Sequence, residues 1–271
     1  MDNKLEGTLS GVFSVSAKKK VRFSQGNLQY QACTDTWRFA EHQYDMVGMG
    51  YGLTDASNDC FVGGTVLNSD NREIGTTYNV WVSEGWIDLF GWGTGNSPTY
   101  SSDNKDHYST FVDWGVNKIS NGGNVASAWF TLSFEEWKYL LNGRPNASVK
   151  QGIACVNGIN GLVLLPDNWI LPVGYSFTSG FDKFIRPYRY MNTYTVSEWQ
   201  VMENAGAVFL PAAGYRDGTS VSSVGTNGYY WSSTYYKGIF ACNVSFNSGN
   251  LSPSSFSGCY SGYNVRLCSE L

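Results

Sequence analysis

The sequence predicts an α+β protein in which short antiparallel strands, two short helices and long loops form one domain. Short β-rich stretches alternate with Gly, Asn and Ser along most of the 271 residues, as expected for strands joined by turns. Two further stretches carry the paired cap residues of a helix N-terminus. Neither a linker nor a fixed-period repeat divides the chain, so we expect one domain over residues 10–271 after a tail at residues 1–9.

Five stretches are predicted strands because β-branched, aromatic and other apolar residues dominate them between turn-forming residues. These stretches are residues 11–15, 21–24, 37–40, 161–165 and 207–210. The lysines at 18–20 fall between the first two stretches, where a solvated hairpin tip is expected.

The first helix is signalled by a capping box, in which Ser133 and Glu136 each satisfy the other's backbone N–H. Leu132 and Trp137 occupy the positions of a hydrophobic staple. Gly143 is expected to end the helix in the left-handed conformation.

The second helix repeats the same signals, with Thr195 and Glu198 as the capping box. Tyr194 and Trp199 form its staple, and Gly206 is the expected stop. Both helices have an apolar face and should pack on the sheets.

The composition excludes several classes of protein. Aromatic residues make up 16% of the chain and charged residues only 15%, the opposite of a disordered sequence. The net charge of −4 argues against a nucleic-acid partner. No apolar run reaches the ~18 residues of a membrane-spanning helix, so no membrane span is expected. Residues 1–20 lack the apolar core of a signal peptide, so either the protein is not exported by that route or its leader is missing from this sequence.

The motifs tested for catalysis favour ordinary structural roles. The Gly-x-Gly-x-Gly runs at 48–52 and 91–95 lack the strand–loop–helix context of a phosphate loop and are interpreted as turns. His42 and His107 are the only histidines, and each is expected to be solvent-exposed or locally hydrogen-bonded. No Gly-x-Ser-x-Gly nucleophile motif is present. We therefore predict no catalytic residue and no cofactor.

Metal-binding patterns are similarly weak. The carboxylates of the middle region match no EF-hand: Asp55, Asp59, Asp70 and Glu73. Six cysteines stand at positions 33, 60, 155, 242, 259 and 268. None forms a Cys-x-x-Cys pair, so no metal site is predicted. The cysteines are interpreted as buried small hydrophobic residues, with surface thiols as the alternative for the last three. Asn146 and Asn243 begin formal glycosylation sequons.

The composition changes at residues 229–268. Of these forty residues ten are aromatic, nine are Ser, four are Gly and four are Asn, and only Lys237 and Arg266 are charged. Antibody paratopes have this composition because aromatic side chains give contact area at low entropic cost, while small polar residues adapt their hydrogen bonds. The alternative is a Ser- and Gly-rich all-β tail whose aromatic residues pack on the core.

Alternation along this segment separates two sets of residues. One set is apolar and expected to face inward: Ala241, Val244, Phe246, Leu251, Val265 and Leu267. The other, which we call the display set, mixes sizes and polarities and is the predicted ligand-binding set: Tyr236, Gly238, Ile239, Phe240, Cys242, Asn243, Ser245, Ser252, Ser254, Ser255, Phe256, Ser257, Gly258, Cys259 and Ser261. This pattern favours a fixed scaffold that displays a recognition surface.

Three motifs in this segment resemble motifs of a known group of proteins. Tyr-Trp-Ser-Ser-Thr at 230–234, Phe-Asn-Ser-Gly at 246–249 and Gly-Tyr-Asn-Val-Arg at 262–266 resemble the C-terminal end of the variable proteins of diversity-generating retroelements. The chain is also similar to gut Bacteroides proteins with a C-type-lectin-like fold of the formylglycine-generating-enzyme type. Four more segments share that similarity: residues 26–30, 37–40, 87–93 and 210–216. The resemblance covers about residues 10–268 and implies one lectin-like domain with a variable segment at 229–268.

The resemblance also implies how the display set would vary. In that family, Asn codons ending in C are miscopied at their adenines, and every residue type of the display set is reachable in this way. Lys237 is not reachable, so it is either constant or evidence against this register.

The chain departs from the related families at their functional motifs. It lacks the closely spaced C-terminal cysteine pair of formylglycine-generating enzymes. It also lacks the Glu-Pro-Asn or Gln-Pro-Asp signature of Ca²⁺-dependent lectins, and Trp231 is followed by Ser-Ser. The fold can be inherited without either function.

These observations predict a non-enzymatic, receptor- or adhesin-like protein located extracellularly, on a cell surface or on a virion. Its partner would be a protein or glycan on a cell or phage surface, with Ile239, Phe240 and Phe256 as anchors and Trp231 and Arg266 as scaffold. Two alternatives remain open. The first is an adhesin of fixed specificity. The second is a lectin-like oxidase that works through a low-pKa thiol among the last three cysteines and needs copper or oxygen.

Overall fold

The computed structural model describes residues 4–31, 34–47, 64–67, 73–77, 86–95, 110–181, 191–217 and 220–271. Within these residues the two α-helices are α1 (Phe134–Lys138) and α2 (Val196–Asn204). The strands are β1 (Phe13–Ser14), β2 (Lys20–Phe23), β3 (Leu28–Gln31), β4 (Thr36–Phe39), β5 (Gly64–Leu67), β6 (Glu73–Thr77), β7 (Trp86–Ile87), β8 (Phe130–Thr131), β9 (Gln151–Val156), β10 (Ile159–Leu164), β11 (Asn192–Tyr194), β12 (Val208–Pro211), β13 (Tyr215–Asp217), β14 (Ser220–Ser222), β15 (Asn227–Lys237), β16 (Phe240–Asn247), β17 (Asn250–Gly258) and β18 (Leu267–Glu270). The predicted α+β class is confirmed.

The strands form small sheets. Three sheets have four strands, in the orders β1-β2-β18-β8, β11-β9-β10-β12 and β13-β14-β5-β6. Two have three strands, in the orders β15-β16-β17 and β4-β3-β7. Pairing is antiparallel except between β11 and β9 and between β14 and β5. Because β18 pairs with β2, the first and last strands of the chain lie in one sheet.

All five predicted strands are present, with ends that differ from the prediction by at most two residues. The lysine run lies at the turn between β1 and β2 as expected, and Lys20 already pairs with Ser14. No helix in the described part of the chain is both long and apolar enough to cross a membrane.

Both capping boxes are confirmed. The Glu136 N–H donates to Ser133 Oγ at 3.3 Å, and the Ser133 N–H donates to Glu136 Oε2 at 2.8 Å. The same reciprocal pair joins Thr195 and Glu198 at 3.3 and 2.7 Å. Gly206 has φ +102° directly after the C-terminus of α2, which confirms the predicted stop.

The predicted left-handed terminus at Gly143 is wrong. The chain continues from α1 into a π-helical turn, Tyr139–Gly143, and leaves it at Arg144 in an extended conformation. Arg144 supplies the hydrogen-bond donors that a left-handed terminus would have supplied. Its N–H donates to Tyr139 O and its Nε donates to Leu140 O, both at 2.8 Å. Two of the terminal carbonyls are therefore satisfied without positive φ.

Three large clusters of buried side chains and a small fourth one, at Leu89 and Val221, form the core of the described structure. The first includes Phe13, Phe23 and Trp137, and the second includes five tryptophans, among them Trp114. The third lies under α2 and contains Trp199. The sheet β15-β16-β17, called the C-terminal sheet below, contributes to two of these clusters. Most of its predicted inward residues are buried in them, and Leu251 packs half-buried against the first.

A buried hydrogen-bond network joins the C-terminal sheet to the rest of the fold. Arg266, 1% exposed, donates to Gln43 Oε1 at 2.8 Å and to Asn27 Oδ1 at 3.4 Å. Asn27 Nδ2 donates to the Tyr230 hydroxyl at 3.2 Å, and that hydroxyl donates to Pro211 O at 2.9 Å. Burial lowers the pKa of Arg266 to about 10, so the guanidinium remains charged at neutral pH. The network positions β15 from three separate segments of the chain.

Candidate binding surface

The exposed end of the C-terminal sheet is formed by its first hairpin. Gly238 and Ile239 connect β15 to β16, and Gly238 has φ +60°, which a tight hairpin turn requires. A Cβ atom on Gly238 would meet no other atom within 4 Å, so the turn projects freely. The hairpin therefore carries the ends of both strands away from the core.

A β-bulge just before this turn changes the direction of one aromatic side chain. Tyr235 pairs with Ala241 and Lys237 pairs with Phe240, which leaves Tyr236 as the extra residue on β15. Its ring stacks on Phe256 of β17, with centroids 4.7 Å apart and planes 16° apart. The bulge thus brings together side chains from the two outer strands of the sheet.

Three exposed rings meet at this end, with the Phe256 ring in contact with the other two, and we call them the aromatic cluster: Tyr236, Phe240 and Phe256. Their exposures are 45%, 37% and 55%. Phe240 meets Phe256 edge to face, with ring centroids 6.2 Å apart and planes at 81°. Both arrangements are favourable geometries for aromatic pairs. The rings support one another and remain open to solvent.

Two more exposed tyrosines flank the cluster, and neither was in the predicted set. Tyr235 is 45% exposed and lies 5.8 Å from Trp92, centroid to centroid. Tyr260 is 37% exposed and covers Gly258, where a Cβ atom would lie 2.4 Å from its ring. In the sequence, only their aromatic type within the Tyr- and Ser-rich segment could have indicated that they belong to the exposed surface.

The chain segment that carries the cluster contains little charge. Between residues 218 and 265 the only charged side chain is Lys237, whose Nζ lies 5.2 Å from the centroid of the Tyr236 ring. Any ligand contact with this segment therefore depends on aromatic area, hydroxyl groups and backbone groups.

The opposite face of the sheet carries a row of polar groups that bond to one another. Ser257 Oγ accepts from Asn243 Nδ2 at 3.1 Å and from the Tyr263 hydroxyl at 2.7 Å. The hydroxyls of Ser245 and Ser255 are 2.7 Å apart. Burial raises the pKa of Tyr263 to about 12, so its hydroxyl stays protonated as a donor. Since neighbouring residues of a strand point to opposite faces, this row does not join the aromatic cluster.

The display set therefore divides by exposure. Its exposed members are Tyr236, Gly238, Phe240, Ser254 and Phe256, and its half-buried members are Ile239, Ser245, Ser252, Ser255, Ser257 and Ser261. Four members are buried: Cys242, Asn243, Gly258 and Cys259. The side chains or Cα atoms of these four lie beneath neighbouring groups in this structure, and their role in ligand binding stays a prediction.

The positions of these four residues explain their burial. Cys242 stands directly opposite Phe256 in the register, and Asn243 stands directly opposite Ser255. Cys259 belongs to the second core cluster, and its N–H donates to Ile239 O at 2.7 Å. Gly258 lies under the Tyr260 ring.

The alternative that the last three cysteines are surface thiols is wrong, because Cys242, Cys259 and Cys268 are all buried and free. Burial raises the pKa of each thiol, to about 11 for Cys259. Cys155 is free and half-buried. These thiols are poor nucleophiles at neutral pH.

Most of the other candidate functional residues that the structure describes have ordinary structural roles. His42 is 48% exposed and its Nδ1 lies 3.2 Å from Asp45 Oδ2, which confirms a local hydrogen bond. Residues 91–95 form turns, with Gly93 at φ +74°, as predicted. The described residues hold no group of three or more His, Cys, Asp or Glu side chains that could hold a metal ion. Several candidates lie outside the described residues: the glycine run 48–52, Cys33, Cys60, His107, Asp55, Asp59, Asp70 and the side chain of Glu73.

Comparison with known protein families gives a match over the C-terminal part of the chain. The model of a family described as "Domain of unknown function (DUF8237)" matches residues 192–268. No curated protein matches the chain, and no solved structure matches it. The matched segment begins with β11 and contains the whole C-terminal sheet, so it includes the aromatic cluster.

Proposed function

We propose that this chain is a non-enzymatic binding protein that recognises a protein or glycan on a cell or phage surface through the end of its C-terminal sheet. The single observation that carries this proposal is the aromatic cluster, three contacting rings exposed by 37–55% at the tip of a hairpin. Aromatic residues provide a large share of binding energy in recognition surfaces.

The cluster is suited to binding because its rings are already held in place. The Tyr236–Phe256 stack and the bulge at Tyr236 fix the rings before any ligand arrives, which lowers the entropic cost of binding. Ser254 is exposed beside them and can adapt its hydrogen bonds. A rigid aromatic platform with adaptable polar neighbours is typical of paratopes.

We further propose that the display set is diversified, on a C-type-lectin-like scaffold like that of the variable proteins of diversity-generating retroelements. The division between buried anchors and exposed display residues supports this, because Ala241 and Val244 are fully buried while Phe240 and Phe256 are open. Sequencing the 3′ end of the gene across its source population tests it. Substitutions confined to display codons are expected, whereas scattered or absent variation would favour an adhesin of fixed specificity.

The thiol chemistry argues for a binding protein over an oxidase. An oxidase of the kind considered above needs an accessible thiol with a lowered pKa. Burial instead raises the pKa of Cys242, Cys259 and Cys268. An oxidase would lose a thiol-dependent turnover when all three cysteines are replaced by Ser. We expect no such loss.

Binding is tested with a double variant, Phe240→Ser with Phe256→Ser, labelled and incubated with intact cells and phage particles from the source community. We expect at least a tenfold loss of labelling relative to wild type, because two hot-spot aromatics are removed. The melting temperature should fall by less than about 5 °C, since only exposed stacking is lost.

The matched control replaces two exposed aliphatic residues elsewhere, Val125→Ser with Val149→Ser, which are 53% and 56% exposed. This control should label cells like the wild type. Unchanged labelling by the aromatic double variant would contradict the proposal. A fall in melting temperature far beyond 5 °C would show that the rings belong to the core.

A further inference from the structure

A second apolar feature lies outside the C-terminal sheet, in the loop that follows β10. Ile170 is 81% exposed, Leu171 is 41% exposed and Val173 is fully exposed at 100%. Isolated exposed apolar residues are common on protein surfaces, but three within four positions form a patch. We call residues 170–173 the apolar tip.

The apolar tip is convex. The Tyr175 N–H donates to Pro172 O at 3.1 Å, and Gly174 between them has φ +85°. These features describe a tight turn in which Val173 occupies the first central position, at the apex. Turn apices that only meet water usually carry Asn, Asp, Ser or Gly, whereas this one presents a branched aliphatic side chain.

The two arms of the loop are anchored, so the tip is held in a fixed position. Trp169, Tyr175 and Phe177 pack half-buried against the third core cluster. The Tyr194 hydroxyl donates to Ser176 O at 2.7 Å. On the incoming arm, Asp167 accepts from Ser14 and Arg144. The large apolar side chains of the arms are therefore partly covered, whereas Ile170, Leu171 and Val173 project into solvent.

The composition and size of the apolar tip limit the kind of partner that it could contact. Residues 168–181 contain no charged side chain, so the loop itself presents no charged group to a protein surface or to an anionic lipid. Three aliphatic side chains expose on the order of a few hundred Å², whereas a stable protein interface takes about 800 Å² from each partner. The tip is therefore too small for a dimer interface but sufficient to insert into the boundary of a lipid layer.

We propose that the apolar tip inserts into the interfacial region of an electrically neutral lipid surface. Ile170, Leu171 and Val173 would enter the acyl boundary, and Trp169 and Tyr175 at the base of the tip would lie at headgroup level, where amphipathic rings are favoured. This peripheral contact is independent of the binding function of the aromatic cluster.

The test is co-sedimentation of the protein with phosphatidylcholine vesicles. Wild type is expected to sediment with the vesicles, and the double variant Ile170→Ser with Val173→Ser should bind at least tenfold more weakly. The double variant of Val125 and Val149 serves as the control and should bind like wild type. Raising the salt concentration several-fold should leave wild-type binding unchanged, since apolar insertion is not screened.

Three results would overturn the proposal. Wild type that stays in the supernatant shows no affinity for a neutral lipid surface. Equal binding by wild type and the tip variant places the lipid contact elsewhere. A solution dimer of wild type that the tip variant abolishes, in the absence of vesicles, identifies a second copy of the chain as the occupant. Because both variants alter only exposed residues, near-identical melting temperatures establish that each comparison is between folded proteins.

Discussion

Replacing Asp88 by Asn should make this protein less sensitive to pH, because the structure buries that carboxyl group and none of the described residues forms an ion pair with it. Asp88 follows β7 and is 1% exposed. Its Oδ2 accepts the Val47 N–H at 2.9 Å, while Oδ1 has no hydrogen-bond partner among the described residues. Its backbone oxygen accepts from Asn264 Nδ2 at 3.0 Å, so it also supports the segment behind the C-terminal sheet.

Burial raises the pKa of Asp88 from its ordinary 3.8 to about 7. The folded state therefore holds this proton more tightly than the unfolded state. The resulting stabilisation is complete below about pH 4 and is lost as the pH rises through about 7. The two pKa values differ by about 3, and each pKa unit corresponds to about 1.4 kcal/mol, so the loss amounts to about 4 kcal/mol.

The Asp88→Asn variant cannot ionise at this position, so it should not show that loss. Asn can still accept the Val47 N–H, and any cost of its buried amide is the same at every pH. The difference in unfolding free energy between variant and wild type should thus shift by about 4 kcal/mol in favour of the variant between about pH 4 and about pH 8. Urea denaturation of both proteins across this range measures it.

The control for this experiment is Glu135→Gln, because the Glu135 side chain is 75% exposed. Its unfolding curves should follow those of wild type in the same range. Asp88→Asn curves that run parallel to wild type from about pH 4 to about pH 8 would refute the reasoning. Asp88 would then be charged and solvated in the folded protein as it is in the unfolded chain.

Three further outcomes are expected. Ser133→Ala removes the side-chain cap of α1 and should lower the unfolding free energy by about 1 kcal/mol in urea; no change would mean that the cap is not formed in solution. Gly115→Ala should cost at least about 3 kcal/mol by the same measurement, because a Cβ atom there would lie 1.8 Å from Trp129 O. In a host that glycosylates, mass spectrometry should find a glycan at exposed Asn146 and none at buried Asn243, and modification of Asn243 would show that β16 is open.

The sequence was most informative where structure depends on a few neighbouring residues. The two capping boxes are local devices, and both are present with the predicted partners. Along β16 their apolar type separated Ala241 and Val244 from the display residues, and both are buried, but they lie on opposite faces of the strand, in the second and the first core cluster. The end of the first helix was predicted incorrectly because the backbone and the side chain of Arg144 bond two of its terminal carbonyls, an arrangement that depends on the burial of that side chain.

Tertiary structure alone decided which display residues meet solvent. Alternation predicts two faces but cannot say which neighbours cover them, so the burial of Cys242, Asn243, Gly258 and Cys259 could not be foreseen.

The aromatic cluster likewise needs three strands. A bulge turns Tyr236 toward Phe256, a residue two strands away, and bulges depend on cross-strand register that no local pattern encodes. The sequence thus determined the helix caps, the inward anchors and the paratope-like composition, because these follow from nearest neighbours. Register and packing between distant segments determined the surface itself, because contacts remote in sequence fix exposure.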